Sequence, residues 1–146
     1  MNRFQARIAC QADADVLADI RVEAMRSSLE AVGRFDPDRA RQRFLSDFTP
    51  TDTKIIQIGG QTVGFYVLRH RRDHLYLDHL YIQPAHQGGG LGRMVVDQLQ
   101  RQARKEGLPI KLMALKQSPA NGFYQSSGFV LLSSDELDNH YLWLPH

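Results

Sequence analysis

Cysteine is almost missing from this chain of 146 residues, with Cys10 standing alone. One thiol excludes an internal disulfide framework and a cysteine-based zinc site. Long apolar runs are missing too, since none approaches the roughly 18 residues that a membrane-spanning helix needs. The N-terminus has no apolar core of the kind that marks a secretory leader. The expected address is therefore the cytoplasm, with no membrane partner. Charge of one sign is also scarce: 18 Lys and Arg stand against 16 Asp and Glu, a net charge of +2. Such a chain tolerates an anionic ligand but lacks the clustered basic residues of a nucleic-acid footprint, so no nucleic-acid partner is expected. Gly-Lys-Ser and Gly-Lys-Thr do not occur, which rules out a P-loop.

What remains is the composition of an ordinary soluble globule, 42% hydrophobic and 23% charged. It is long enough for one domain, residues 1–146, with its own core. Repeats, linkers and low-complexity segments are not evident. Residues Arg3 to Cys10 read as a first strand. "DADVLADIRVEAM" then turns helical, with Val16, Leu17, Ile20 and Ala24 at helical spacing, Asp13 as N-cap and Gly33 as stop. A second helix opens with Asp36 as N-cap and Pro37 at its first position, and its apolar face is Ala40, Phe44, Leu45 and Phe48. "TKIIQI" and "TVGFYVLRH" read as a hairpin around Gly59, Gly60 and Gln61.

The near-continuous apolar run "HLYLDHLYI" suggests a central strand buried on both faces. It leads through "QPAHQGGG" into a helix with Leu91, Val95, Leu99 and Ala103 on one stripe, ended by Gly107 and Pro109. "IKLMAL" is a buried strand. A short helix follows, capped by Ser118 with Pro119 in its first turn and stopped at Gly128. Strands near Val130 to Ser133 and His140 to Leu144 close the chain. The order β-α-α-β-β-β-α-β-α-β-β predicts an α+β fold in three layers, α/β/α. Its centre is a mixed, largely antiparallel sheet of about seven strands with helices on both faces.

The glycines between the third apolar strand and its helix pose the functional question. A helix start presents N–H groups without intrahelical partners, backed by the positive end of the dipole, and so attracts anions. Glycine lets the backbone come close to a phosphate without a Cβ in the way. The plainer alternative is a flexible loop ahead of a surface helix. A dinucleotide fingerprint fails on spacing: Gly88 and Gly90 begin one, but Arg93 occupies the place of its last glycine.

The pattern that does match is Q-x-x-G-x-G, at Gln87, Gly90 and Gly92. It resembles the acyl-coenzyme A loop of the GNAT superfamily of N-acetyltransferases, [Arg/Gln]-x-x-G-x-[Gly/Ala], which follows the fourth strand and opens the third helix. About thirty residues on, "LKQSPANGFYQSSGF" is similar to the family's N-x-x-A-x-x-[FL]-Y-x-x-x-G-F, filled here by Ala120, Phe123, Tyr124, Gly128 and Phe129. Two departures stand out. Gln117 sits at the family's asparagine position, and Gly122 lies inside the short helix.

The resemblance implies a GNAT fold over essentially the whole chain. It also implies transfer of an acetyl group from acetyl-coenzyme A to an amine, without a metal. It places the coenzyme on the backbone of Leu80, Tyr81 and Ile82, on the loop Gln87, Gly88, Gly89, Gly90, Leu91, Gly92 and Arg93, and on Gln117, Ala120, Phe123 and Tyr124. It gives Tyr124 the role of donor to the leaving sulfur; the alternative for that ring is a core aromatic. An alkylammonium must lose a proton before it attacks, and the polar interruption Asp78–His79 is where the strand offers a base. Neighbouring strand residues face opposite sides, so the two do not share a surface. Asp78 is the expected base and His79 an acceptor-side residue, although a structural Asp–His pair or a water chain serves the strand equally well. Arg26 and Glu30, four apart in "EAMRSSLEAVGRF", lie in a segment that shapes the acceptor pocket in the family. As a pair on a solvated helix face they would have no such role. The loop "SSDELDNHY" is the other pocket segment. The histidines His70, His74, His79 and His86 match no common metal-ligand spacing. The expected acceptor is a small-molecule amine, and the protein a monomer or homodimer. A non-catalytic acyl-coenzyme A sensor is the competing function.

Overall fold

The computed structural model describes residues 4–146. Among them the elements run β1 (Gln5–Ile8), α1 (Ala14–Ala31), α2 (Pro37–Ser46), β2 (Thr53–Ile58), β3 (Gln61–His70), β4 (Leu75–Ile82), α3 (Leu91–Glu106), β5 (Ile110–Leu115), α4 (Ala120–Ser126), β6 (Val130–Ser134) and β7 (Asp138–Trp143). This is the order expected from the sequence; Arg3, the expected start of the first strand, lies outside the described residues. The seven strands form a mixed sheet ordered β1-β2-β3-β4-β5-β7-β6. β4 and β5 are parallel, with Leu75 opposite Ile110 and Tyr76 opposite Lys111. A parallel pair needs a long crossover, and α3 supplies it. The pairs β1–β2, β2–β3, β5–β7 and β6–β7 are antiparallel.

The chain divides into two compact units, one holding the residues up to Val67 with His79–Gly92, the other Leu68–Asp78 with Arg93–His146. The first unit is built around Leu17, Ala18 and Ile20 of α1, Phe44 of α2, Ile55 of β2, and Phe65 and Val67 of β3, with Leu45, Phe48 and Tyr81 packed at its margin. Helix α1 ends where Gly33 adopts φ +70°, so that Gly33 N–H and Arg34 N–H reach the carbonyls of Glu30 and Leu29. Helix α2 starts as expected, with Asp36 Oδ1 accepting from Arg39 N–H at 3.1 Å. Asp13 does not cap α1 with its side chain. Its carboxylate accepts instead from Cys10 N–H and from both terminal nitrogens of Arg7, closing the short 3-10 turn ahead of the helix. The hairpin between β2 and β3 turns on Gly59 and Gly60 alone, both at positive φ, and Gln61 already belongs to β3.

In the second unit, the stripe predicted for α3 continues as Val95, Leu99 and Ala103, all buried. Leu108 N–H caps that helix on the Ala103 carbonyl past Gly107 at φ +67°. β7 lies between β5 and β6, and Tyr141 is 1% exposed. Two expectations fail here. Leu75 and Leu77 are buried, but Asp78 to Ile82 are only half-buried, so the far part of β4 is not covered on both faces. Helix α4 starts without a side-chain cap, because Ser118 Oγ is engaged by the side chain of Asn121.

Candidate active site

The apolar end of β4 is held tightly from its own side of the sheet. Gln83 N–H donates to the Val63 carbonyl at 2.8 Å, and the Gln87 amide nitrogen reaches back to the Ile82 carbonyl at 2.8 Å. Between these anchors, Pro84–His86 makes a 3-10 turn. Gly88 and Gly90 then take φ values of +84° and +83°, conformations that favour glycine. A Cβ built on Gly88, Gly89 or Gly90 meets nothing within 4 Å, so these residues face open space. Helix α3 starts directly afterwards at Leu91. The first N–H groups of a helix lack intrahelical partners, and with the dipole they suit an anion such as a pyrophosphate. Arg93, in its first turn, donates to Asp97 at 3.3 Å and to the Ser126 carbonyl at 3.2 Å.

The polar pair on β4 splits as strand alternation requires. Asp78 Oδ2 accepts from Arg69 Nε at 3.2 Å and Nη2 at 3.1 Å. Burial, and after it the Asp78 charge, pushes the Tyr76 phenol above its ordinary pKa, consistent with Tyr76 and Asp78 two apart on one face. His79 has other neighbours. Its Nδ1 lies 2.9 Å from the Tyr81 hydroxyl, and its ring stands edge-on to Phe44 at 5.3 Å.

Tyr124 is 8% exposed. Its ring is edge-on to Phe123 at 5.1 Å and Phe129 at 5.5 Å. This packing fits an aromatic of the core. Upstream, exposed Gln117 holds φ +66°, the one non-glycine residue at positive φ among those described. It turns the chain from β5 towards α4, whose first residue is Ala120.

Arg26 and Glu30 form an ion pair at 3.7 Å with both side chains more than half exposed. Arg26 also lies 5.3 Å over the Phe35 ring. This is a solvated helix-face pair. The loop between β6 and β7 folds onto itself: Asp135 accepts from the Leu137 and Asp138 N–H groups and lies 2.9 Å from His140 Nε2. Those contacts, His140 first, hold the Asp135 carboxyl down at about 2. Among the described residues no three His, Cys, Asp or Glu gather as a metal site, and no helix is long and apolar enough to cross a membrane.

Three residues here were not singled out from the sequence. Gly64 sits in the apolar run of β3, and an isolated glycine there signals a close backbone approach; the Tyr81 and Ile82 backbone is what approaches. Arg69 stands at the end of the same run, and its charge was the only hint of an acidic partner. Asn121, which joins α4 to its surroundings, carried no local signal.

The mixed sheet, with its glycine loop between β4 and α3, has the architecture of an acyltransferase. The chain belongs to the GNAT family: the model of the acetyltransferase (GNAT) domain matches residues 18–146. Solved structures agree on the fold. The PaiA N-acetyltransferase of Thermoplasma acidophilum, solved with coenzyme A, is 15% identical with a TM-score of 0.75 over 97% of this chain and 99% of its own. An acetyltransferase of Thermus thermophilus is 18% identical with a TM-score of 0.76 over 99% of both chains. Ard1 of Thermoplasma volcanium is 18% identical with a TM-score of 0.69 over 97% of both. No curated protein is significantly similar in sequence.

Proposed function

We propose that this acetyltransferase moves the acetyl group of acetyl-coenzyme A onto a primary amine of a small molecule, by direct attack in a ternary complex. The observation that carries the reading is the pair of left-handed glycines, Gly88 and Gly90, opening α3 with clear space above them. Leu91, Gly92 and Arg93 continue that cradle for the pyrophosphate, and the backbone of Leu80, Tyr81 and Ile82 takes the pantetheine arm. Gln117, Ala120 and Phe123 serve the same arm from the start of α4. No step calls for a metal.

The amine nitrogen attacks the thioester carbonyl, forming the C–N bond; the C–S bond then breaks, and the thiolate leaves. Three protons must move: nitrogen gives up one before attack and one after it, the second passing to water, and sulfur takes up one. Asp78, oriented by Arg69 as a base is oriented by a third group, accepts the ammonium proton directly or through water. Tyr124 delivers a proton to the departing sulfur. His79 faces the other side of β4, against Phe44, and the solvated pair Arg26–Glu30 is left outside this step. The protein acts in the cytoplasm, as a monomer or homodimer.

The test is release of coenzyme A thiol from acetyl-coenzyme A over a panel of spermidine, tyramine, free amino acids and short peptides. Acetylation of at least one small amine supports the reading. Tight acetyl-coenzyme A binding with no turnover on any amine replaces the enzyme with a non-catalytic sensor, a reading favoured by Gln117 at the asparagine position.

A further inference from the structure

Helix α4 is weak by every local standard. It has seven residues, no side-chain cap at its N-terminus, and Gly122 inside it. Isolated helices of that length do not form in water, and an internal glycine weakens this one further. Yet Tyr124 is buried within it. The fastening comes from Asn121, one turn before Tyr124.

The Asn121 amide nitrogen donates to the Leu115 carbonyl at 2.9 Å and to the Ser118 carbonyl at 2.9 Å. Its oxygen accepts from the Tyr141 hydroxyl at 2.7 Å and from the Asn139 amide at 2.9 Å. Asn139 in turn accepts from Ser134 Oγ at 2.6 Å. Backbone carbonyls only accept, so the orientation of the Asn121 amide is fixed by chemistry and not by choice of atom names. One ordered chain of hydrogen bonds thus runs from β6 through β7 and α4 to the end of β5. A fully satisfied network of this kind rigidifies what it joins. The far end of the helix is tied separately, by Gln100 and Arg93 on the Ser127 and Ser126 carbonyls.

We propose that Asn121 is a positioning residue for Tyr124: by tying the first turn of α4 to β5 and β7, it holds the phenol where the leaving sulfur needs its proton. The proposal rests on the acid role given to Tyr124 above. Displacing a reacting group by about 1 Å costs on the order of 10²-fold in rate, so a modest loosening of α4 is read out in kcat. Most of the proposed coenzyme contacts, on β4 and on the loop before α3, lie outside α4, so coenzyme affinity falls far less than the rate.

The experiment is a double-mutant cycle with the panel amine of highest kcat/KM: wild type, Tyr124→Phe, Asn121→Leu and the double variant. Tyr141→Phe is added as a milder cut of the same network should Asn121→Leu not fold. Tyr124→Phe is expected to lower kcat about 10²-fold. Asn121→Leu is expected to lower it on the order of tenfold, with the acetyl-coenzyme A KM changed less than about threefold. In the Tyr124→Phe background, cutting the network should change kcat by less than about twofold, because a group acting through Tyr124 has nothing left to act on. A loss of the same size in both backgrounds overturns the positioning role while leaving the acid role standing. An unchanged kcat in Asn121→Leu and Tyr141→Phe overturns it too. A Tyr124→Phe enzyme at full rate, or no amine acetylated at all, removes the acid itself and the proposal with it.

Discussion

Gly64→Ala tests how closely β3 and β4 approach. Gly64 is buried in β3, and a Cβ there would overlap the Tyr81 carbonyl oxygen and lie 3.1 Å from both Cα and Cδ1 of Ile82. An ordinary carbon–oxygen contact is about 3.3 Å or longer, so the β4 backbone would have to retreat by about 1 Å. It is not free to do so: Gln83 N–H is fixed to the Val63 carbonyl and the Ile82 carbonyl to Gln87. Overpacking of this kind costs about 1–3 kcal/mol. Alanine's ordinary advantage over glycine in a strand, about 0.5–1 kcal/mol, works the other way. The net expectation is a loss of about 1–2 kcal/mol, or roughly 2–8 °C in thermal midpoint for a chain of this size. Urea denaturation and a thermal melt measure it directly. Because the strained atoms belong to Tyr81 and Ile82, acetyl-coenzyme A affinity should fall as well, at temperatures where the variant is fully folded. A Gly64→Ala protein as stable as wild type, or more so, would refute the reasoning.

Gln117→Gly should raise stability by about 0.5–1 kcal/mol, because it relieves a left-handed side chain at φ +66°; a lower urea midpoint would contradict this. The Asp13 carboxyl is held down at about 2, chiefly by its hydrogen bond to Arg7 and next by Cys10 N–H. A depressed folded pKa gives stability that is present above the unfolded value, about 4, and is lost as pH falls towards 2. The stability gap between wild type and Asp13→Asn should therefore hold at neutral pH and close between about pH 4 and 2 in a series of melts. A gap constant across that window would deny the charge its part. Gly90→Val faces open space but takes φ +83°, so the fold should survive with a loss of about 1–2 kcal/mol. Acetyl-coenzyme A affinity, measured by calorimetry, should drop at least thirtyfold; wild-type affinity would move the pyrophosphate elsewhere.

Short-range chemistry was readable from the sequence. The stripe Leu91, Val95, Leu99 and Ala103 is buried as its 3.6-residue period requires, and Asp36 with Pro37 opens α2 where the capping rule puts it. Asp13 shows where that rule stops. The residue type and place were right, but Arg7 and Cys10 N–H lay closer to its carboxylate than the first turn of α1 did. Strand alternation correctly separated the neighbours of Asp78 from those of His79. It could not name Arg69 as the partner, because that depends on how β3 and β4 align.

Asn121 is the sharper case. Its four partners come from Leu115, Ser118, Asn139 and Tyr141, and two of those arrive only through the β5–β7 register that sets Ala114 opposite Asn139 and Leu112 opposite Tyr141. No window of α4 alone contains that information. The motif around Tyr124 identifies a tyrosine in a short helix, yet such a helix has too few internal hydrogen bonds to hold a side chain in place. The tyrosine's identity is thus local, while its placement is a property of strand pairing further along the chain, at Asn139 and Tyr141. A substitution in β7 that leaves every motif intact, Tyr141→Phe among them, is therefore expected to change the rate of the reaction before it changes the binding of the coenzyme.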